Sequence, residues 1–472
     1  MKKIHLFTVA LSSCLLLQTA CQNEVKPEAQ APVRKIPVEL SPITEDVVSS
    51  ALLYQANIRQ YTNEGTFNAF AKYLPEIKAL GVNFLWLMPV NPISTTKSKG
   101  PLGSYFAISD YTQVNPEFGS LEDFKALVDQ AHDLGMYVLL GWVPGHTGWD
   151  HVWIKDHPEY YLKNRQGEIT DPLDPRTGKS FGWTDVADLD YDNTDMREAM
   201  RQAMLYWVKE CRVDGFRIDQ AYAVPQEFYE NTFAALNAVK PVFLLAETDI
   251  NHPGGIDLIS QFTSTYDWPG HHLAKDIAQG KKNASDWDRH YNWVQRMYGA
   301  DNPVLQFTSN HDENSWNGTV AESFGPAANF FSALQYTSPG IPMLYTGQEY
   351  DLNKRLLFFE KDSFPKVKGE TFRFLKQLGA LKRSNKALKS GVNGANYLRL
   401  NTSRDDQVLA FERGHQGDTL LFIGNMSSNY AQFTLPYEGQ FKRFPDGKTK
   451  KLSSSYQYDM KPWEFWILTD KQ

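Results

Sequence analysis

From about residue 50 to residue 390, short apolar, β-branched runs alternate with amphipathic stretches, and this alternation constrains the 472-residue chain more than any other feature. Strand signals fall at 51–58, 82–90, 136–143, 215–220, 241–247, 304–309 and 341–345. Helix signals at 67–80, 121–134, 194–212, 226–239 and 369–383 lie among them, and Gly81 and Gly135 stop the first two. Weaker signals near 262–268 bring the strands to about eight. Strand, helix, strand in succession is a parallel crossover unit. Eight such units close into a (β/α)8 barrel of roughly 250 residues plus insertions.

The alternation is interrupted once and then ends. Residues 144–193 are rich in Gly, Asp, Trp, Tyr and Pro and keep no period, and a stretch of that length is usually functional. From about 395 the texture is all-β, with strands expected at 397–400, 408–413, 419–425, 432–435 and 465–468. The expected fold is α/β: a (β/α)8 TIM barrel over 46–143 and 194–390, a short inserted domain over 144–193, and a C-terminal antiparallel β-sandwich over 391–472.

The N-terminus reads as an export signal. Lys2 and Lys3 precede an apolar run from Ile4 to Leu17 that is short for a membrane span. Leu17-Gln18-Thr19-Ala20-Cys21 then resembles a bacterial lipoprotein cleavage box, with Gln18 where Leu is usual. The expectation is a signal peptide over 1–20, a lipidated Cys21, and a flexible tether over 21–45 carrying Pro27, Pro32, Pro37 and Pro42. The alternative is a plain secretory signal cut near Ala20. Lipidation would make the protein an exported cell-envelope lipoprotein, at the outer membrane or facing the periplasm.

Charge and cysteine content narrow the partners. Asp and Glu total 55 against 48 Lys and Arg, which disfavours a nucleic-acid partner. Removing residues 1–20 takes away two Lys and no acid, so the formal charge of −7 deepens by two. An acidic protein gains nothing from anionic headgroups, so membrane attachment would depend on the lipid. Of the three cysteines, Cys14 leaves with the signal and Cys21 takes lipid. Cys211, in an apolar helical pattern, then has no disulfide partner and reads as a buried inert thiol.

Carboxylates stand at the C-terminal ends of three expected strands. Asp219 ends Phe216-Arg217-Ile218, Glu247 follows Val242 to Ala246, and Asp312 follows Phe307-Thr308-Ser309-Asn310-His311. In barrels that end is the catalytic face, and converging carboxyls suit glycoside hydrolysis. Taken singly each has a plainer reading. Asp219 could pair only with Arg217, two residues back on the same strand face, and Glu247 could cap the next helix. The insert also holds Trp142, Trp149, Trp153, Tyr160, Tyr161, Trp183 and Tyr191, equally readable as sugar platforms or as packing. Asp185, Asp188, Asp190 and Asp192 lack an EF-hand pattern and read as turn and cap chemistry. His271-His272 has no metal-ligand companion and is either cleft or structure.

Taken together the motifs are specific. Asp214-Gly215-Phe216-Arg217-Ile218-Asp219, Ala246-Glu247 and Phe307 to Asp312 resemble, in order, the nucleophile, acid and third-carboxylate motifs of the alpha-amylase family, glycoside hydrolase family 13. Asp110-Tyr111, Asn115 to Gly119, Pro339 to Pro342 and Tyr345 to Glu349 are further matches. The resemblance spans roughly residues 50–470. It implies Asp219 as nucleophile, Glu247 as acid and then base, and Asp312 as stabiliser of the oxocarbenium-like transition state. Arg217 would orient Asp219, and His146 and His311 would hydrogen-bond the sugar. It also makes 144–193 the family's domain B.

Support residues depart from the pattern. Where the family's first motif reads Asp-x-Val-x-Asn-His, this chain has Gly141-Trp142-Val143-Pro144-Gly145-His146. Gly141 brings no bracing carboxylate, and Gly145 stands where an Asn commonly ligates calcium. Losing a ligand weakens a site that takes six to eight oxygens, so no metal ligand is expected here, no cofactor is required, and calcium is at most optional. Phe106 occupies the place of a sugar-stacking Tyr, and Tyr105 beside it should point elsewhere. The implied activity is retaining cleavage of α-1,4-glucosidic bonds in starch-like glucans or malto-oligosaccharides. The alternatives are a transglycosylase or debranching enzyme on the same scaffold, or an impaired glucan-binding surface protein. Partners are the α-glucan and, through the lipid, a membrane. Oligomeric state and endo or exo action are not readable.

Overall fold

The computed structural model describes Met1 and residues 38–173, 177–252 and 254–470. The signal segment and Cys21 lie outside the described residues. Eight strands build the central sheet: β1 Leu53–Ala56, β2 Phe84–Leu87, β3 Tyr137–Trp142, β4 Gly215–Ile218, β5 Phe243–Ala246, β6 Ser264–Thr265, β7 Leu305–Phe307 and β8 Ile341–Tyr345. All pair in parallel, running β6-β5-β4-β3-β2-β1-β8-β7. A parallel bridge between Tyr266 and Leu305 joins β6 to β7 and closes the ring. The fold is the expected (β/α)8 barrel.

Side-chain parity explains what fills it. Alternate strand residues face inward. Leu53, Phe84 and Trp86, Tyr137 and Leu139, Phe243 and Leu245, Phe307 and Met343 form one buried cluster inside the ring. Continuing that parity two residues onward reaches Gln55, Gly141, Arg217 and then Asp219, and Glu247. The outer faces pack on the surrounding helices in a second, larger cluster.

Local sequence accounts for the differences from the expected elements. The helix at 67–80 is two helices, Phe67–Ala71 and Leu74–Ala79, because Pro75 has no N–H for a fourth-residue bond and sits comfortably only in a first turn. The strand at 51–58 stops at Ala56, since Ile58–Tyr61 is already helical. Helices Trp268–Ala278, Ala284–Met297 and Ala328–Thr337 were not expected; the last is buried on several faces, polar Ser332 and Thr337 included, so its sequence shows no clean 3.6-residue stripe.

The C-terminal part is antiparallel and has eight strands where five were expected: β9 Asn396–Arg399, β10 Val408–His415, β11 Asp418–Asn425, β12 Ala431–Thr434, β13 Gly439–Phe444, β14 Thr449–Leu452, β15 Gln457–Met460 and β16 Phe465–Thr469. Six form a sheet ordered β9-β10-β11-β16-β13-β14, and β12 pairs with β15. Val408, Ala410, Leu421 and Ile423 pack against Phe433, Tyr458 and Met460 of that pair. The opposite face, Leu409, Phe411 and Phe422, joins the outer core of the barrel. Between β3 and β4 the chain makes a small ribbon of His146–Gly148 and Val186–Asp188.

Candidate active site

The sheet itself sets the carboxylates. Asp219 N–H still donates to Trp142 O (2.8 Å), and Glu247 N–H to Ile218 O (3.0 Å), so both residues are laced into the last rung of the barrel. Asp312 stands before a π-helical turn, Glu313–Asn317, pinned by Glu313 N–H on Asn310 Oδ1 (2.8 Å). Gln220, directly after Asp219, has φ +40°, a left-handed conformation that costs a non-glycine residue about 1–3 kcal/mol. Its N–H donates to Glu247 Oε2 (2.9 Å), so the strained turn couples the two acids.

Arg217 lies beneath them, 1 % exposed, with its guanidinium 5.2 Å above the Trp86 ring. Nη1 donates to Asp219 Oδ1 (2.7 Å), Nη2 pairs with Glu247, and Nε donates to the Tyr266 hydroxyl (3.2 Å). One cation faces two acids in a buried place. Burial pushes both carboxyls above their ordinary range, and Arg217 opposes this. A hydrogen bond from Glu247 holds Asp219 down, and the Asp219 charge holds Glu247 up. Burial is the largest cause for both groups, and both Glu247 oxygens face donors, Arg217 Nη2 and the Gln220 N–H. Asp312 is also raised, by burial first.

The histidines are neutral donors and acceptors. Burial pushes His146 down to about 4 and lowers His311. The Gln55 amide donates to His311 Nδ1 (2.8 Å), which leaves the proton on Nε2, 3.5 Å from Asp312 Oδ2. Phe106 stacks on His311 (5.3 Å, 20°) and lies 6.0 Å from the Arg217 guanidinium. Tyr105 does point elsewhere: it is buried, and its hydroxyl donates to Asn57 Oδ1 (3.0 Å).

Asp219, Glu247, Asp312, His146, His311 and Phe106 line one cleft of ≈ 380 Å³, with Arg217 under its floor. The sequence reading did not include Gln55, Lys99, Gln220, Trp316, Phe358 or Phe359 in the site. The exposed Trp316, four residues after Asp312, is the one with a local signal. Of the insert's aromatics, Trp183 lines the cleft, whereas Tyr160, Tyr161 and Tyr191 are buried packing, as is Trp142 at the end of β3. Asp185 lines the cleft too and pairs with Lys99 (2.9 Å). Asp190 does make the expected turn, accepting from Asp192 N–H (3.0 Å). His271 is structural, buried between Glu313 Oε2 (3.0 Å) and the Phe307 carbonyl (3.1 Å). Cys211 is buried and burial pushes its thiol up to about 11.

The two glycine departures differ. A Cβ on Gly141 would lie 2.8 Å from Pro89 Cδ and 3.2 Å from Leu87 O, so the space of a bracing carboxylate is filled by β2 and its following turn. A Cβ on Gly145 would meet only Ala223 Cβ at 3.9 Å. Gly145 offers a carbonyl, and that accepts the Leu189 N–H (3.1 Å). Among the described residues there is no group of three or more His, Cys, Asp or Glu that could hold a metal ion.

Comparison with known proteins agrees with this geometry. The family model "Alpha amylase, catalytic domain" matches residues 54–267. Alpha-amylase 3 of Dictyoglomus thermophilum is 24 % identical over 338 residues, covering 64 % of this chain and 64 % of that protein, so the chain spans less than two thirds of this relative. Among solved structures, a noncanonic maltogenic alpha-amylase, AmyB, of Thermotoga neapolitana superposes with a TM-score of 0.80 at 28 % identity, over 90 % of this chain and 99 % of that one. An alpha-amylase of Lactobacillus plantarum gives 0.79 at 26 %, over 90 % and 99 %.

Proposed function

We propose that this chain, which belongs to the alpha-amylase family, is a retaining glycoside hydrolase acting on α-1,4-glucosidic bonds of starch-like glucans or malto-oligosaccharides. The observation that carries the reading is the single buried guanidinium of Arg217 shared by Asp219 and Glu247. It holds the two carboxyls side by side; in the proposed reaction Asp219 is ionised for attack and Glu247 carries the proton it leaves on the departing oxygen. Asp219 attacks the anomeric carbon and Glu247 protonates the glycosidic oxygen. A covalent glycosyl-enzyme forms and the leaving sugar departs. Glu247, now ionised, takes a proton from water, which displaces Asp219 with net retention. Asp312 and His311 hold sugar hydroxyls and favour the positive charge that develops at the ring. His146, kept neutral, adds a hydrogen bond.

The catalytic unit in this reading is the barrel over 46–143 and 194–390, with 144–193 as one wall of the cleft. Gly145 brings no side-chain oxygen, and hydrolysis in this reading proceeds without calcium. Cys21 would carry lipid and tether the enzyme to the cell envelope, and among the described residues no helix is long and apolar enough to cross a membrane. Labelled fatty acid incorporated by the full chain and not by Cys21→Ser would support the anchor.

The test of activity is reducing-sugar release from soluble starch and maltoheptaose by residues 22–472, with and without EDTA, beside Asp219→Asn. Release that vanishes in the variant and survives EDTA is expected. Glucan binding without release would assign a binding protein instead. Loss with EDTA would restore a metal requirement.

A further inference from the structure

We infer that the cleft is walled on the side that holds the retained sugars, so the enzyme works from the non-reducing end of its substrate and releases short products. This rests on the hydrolytic reading above and adds its direction of attack.

The general acid defines two sides. Glu247 protonates the oxygen of the leaving sugar, so the leaving part of the chain lies toward β5 and the retained glycosyl part lies away from it. Across an eight-stranded ring, β5 faces β1, and β8 and β2 flank β1. The segments following β8, β2 and β3 are joined there into one rim. Leu102 N–H donates to Phe359 O (3.0 Å), and a Cβ on Gly100 would lie 2.4 Å from Phe359 Cβ, so the β2 and β8 segments are in contact without a gap. Lys99 Nζ reaches Asp185 Oδ1 (2.9 Å) and the Gly182 carbonyl (2.9 Å), closing the β2 segment onto the insert. Asp150 Oδ2 accepts from Thr95 N–H (2.8 Å) and Thr96 N–H (3.1 Å), a second tie between the same two segments. Gln60 fixes the β8 segment through the carbonyls of Leu357 (2.6 Å) and Glu360 (3.1 Å).

This rim belongs to the site. Lys99, Asp185, Phe358 and Phe359 line the same cleft as the carboxylates. On the other side, Glu247 is the sole residue from β5, β6 and their following segments to line it, among the described residues. A cleft walled opposite its acid and open beside it admits a chain end first. The depth to the wall then counts the sugars released. Lys99 is the residue best placed to set that depth. Its stem and ammonium span from one loop to the other, and at 37 % side-chain exposure it can be truncated without opening the core.

The experiment uses maltoheptaose labelled at its reducing end, with the non-reducing end either free or blocked by a 4,6-ethylidene group. Products of residues 22–472 are separated by chain length. The wild-type protein should cleave the free substrate at least about tenfold faster than the blocked one, leaving labelled products shortened by one or two units. Lys99→Ala and Asp185→Asn should each shrink that preference several-fold and release longer unlabelled fragments. Equal wild-type rates on the two substrates would overturn the inference while leaving hydrolysis intact. An unchanged preference in both variants would remove the Lys99–Asp185 bridge as its cause. Cleavage of neither substrate would sink the hydrolytic reading itself, and the direction of attack with it.

Discussion

Gly141 and Gly145 occupy one short motif, yet their surroundings give them opposite tolerances. At Gly141 a single methyl meets the Pro89 ring and a carbonyl at sub-contact distance, with backbone on the far side that cannot move aside. Gly141→Ala should cost about 1–3 kcal/mol, the usual range for overpacking a filled core. Gly145→Ala should leave stability nearly unchanged. Urea unfolding of the two variants checks this, and equal midpoints would refute it. The acid pair gives a second residue-scale prediction. The proposed reaction needs Asp219 ionised and Glu247 protonated, so kcat/KM should fall as pH drops through the Asp219 titration and again as pH rises through that of Glu247. Both limbs should lie above the ordinary carboxylate range because burial raises both groups. Glu247→Gln should lose several orders of magnitude in rate, and its residual activity should lack the alkaline limb. A wild-type-like alkaline limb in that variant would assign it to another group. Asp219 and Glu247 were legible in the sequence because each directly follows a strand and keeps its inward parity, whereas Asp312, five residues past Phe307, was legible only through its motif. Gln55, Phe358 and Phe359 were not, because what brings them to the site is tertiary: Gln55 matters only through His311, two strands away in the ring, and Phe358 only through a loop that Gln60 and Asn314 hold in place.

At the scale of elements, the turn after β8 stores a pH dependence. Gln348–Tyr350 is a single 3-10 turn that carries Glu349 into full burial, where it accepts from the Tyr54 hydroxyl (2.7 Å) and the Tyr61 hydroxyl (3.2 Å). Burial outweighs those two hydrogen bonds and pushes its carboxyl up to about 7 from an ordinary 4.5. The sign follows directly. Between those two values the folded chain binds a proton that the unfolded chain has released, so this group's contribution is fully present below about 4.5 and is lost as pH rises through about 7. Over that window the loss is of order 3 kcal/mol. Glu349→Gln keeps an acceptor for both tyrosines and carries no charge. It should be more stable than wild type at pH 8 and close to it at pH 4.5. Unfolding midpoints at the two pH values decide it, and a variant that tracks wild type at both would rule Glu349 out as the source. The same turn shows where pattern reading stops. Its Gly347-Gln348-Glu349 segment was recognised as a motif, but nothing local says that Glu349 is buried beneath β1. The helix Ala328–Thr337 escaped for the converse reason: Phe330, Phe331, Leu334 and Tyr336 cover several of its faces, because it is wedged between barrel and C-terminal sheet.

That wedge governs the whole molecule. Besides the cluster inside the ring and the one within the C-terminal part, the barrel and the C-terminal sheet share a third. Leu409, Phe411, Leu420 and Phe422 belong to the same buried cluster as Phe330, Phe331 and Leu334. Phe330 meets Phe422 edge-on at 5.6 Å and Trp463 at 6.0 Å. Gly424 lies so close that a Cβ there would sit 2.5 Å from Phe330 Cε2. Arg413, buried in the sheet, donates to the Thr337 carbonyl (3.2 Å) at the end of the same helix. Cutting the chain after residue 390 would therefore strip one whole apolar face from the barrel and leave a helix C-terminus without its donor. Each large buried side chain so exposed forfeits about 1.5–3 kcal/mol, and several are lost together against a total stability of 5–15 kcal/mol. Residues 22–390 should not yield a soluble active barrel, although every catalytic carboxylate is present. Gly424→Leu in the full chain should weaken folding in the same direction, through Phe330, without touching the cleft. Expression of the truncated chain, followed by sedimentation and the starch assay, tests the first. A soluble monomer with wild-type kcat would show that the barrel needs no cover on that face.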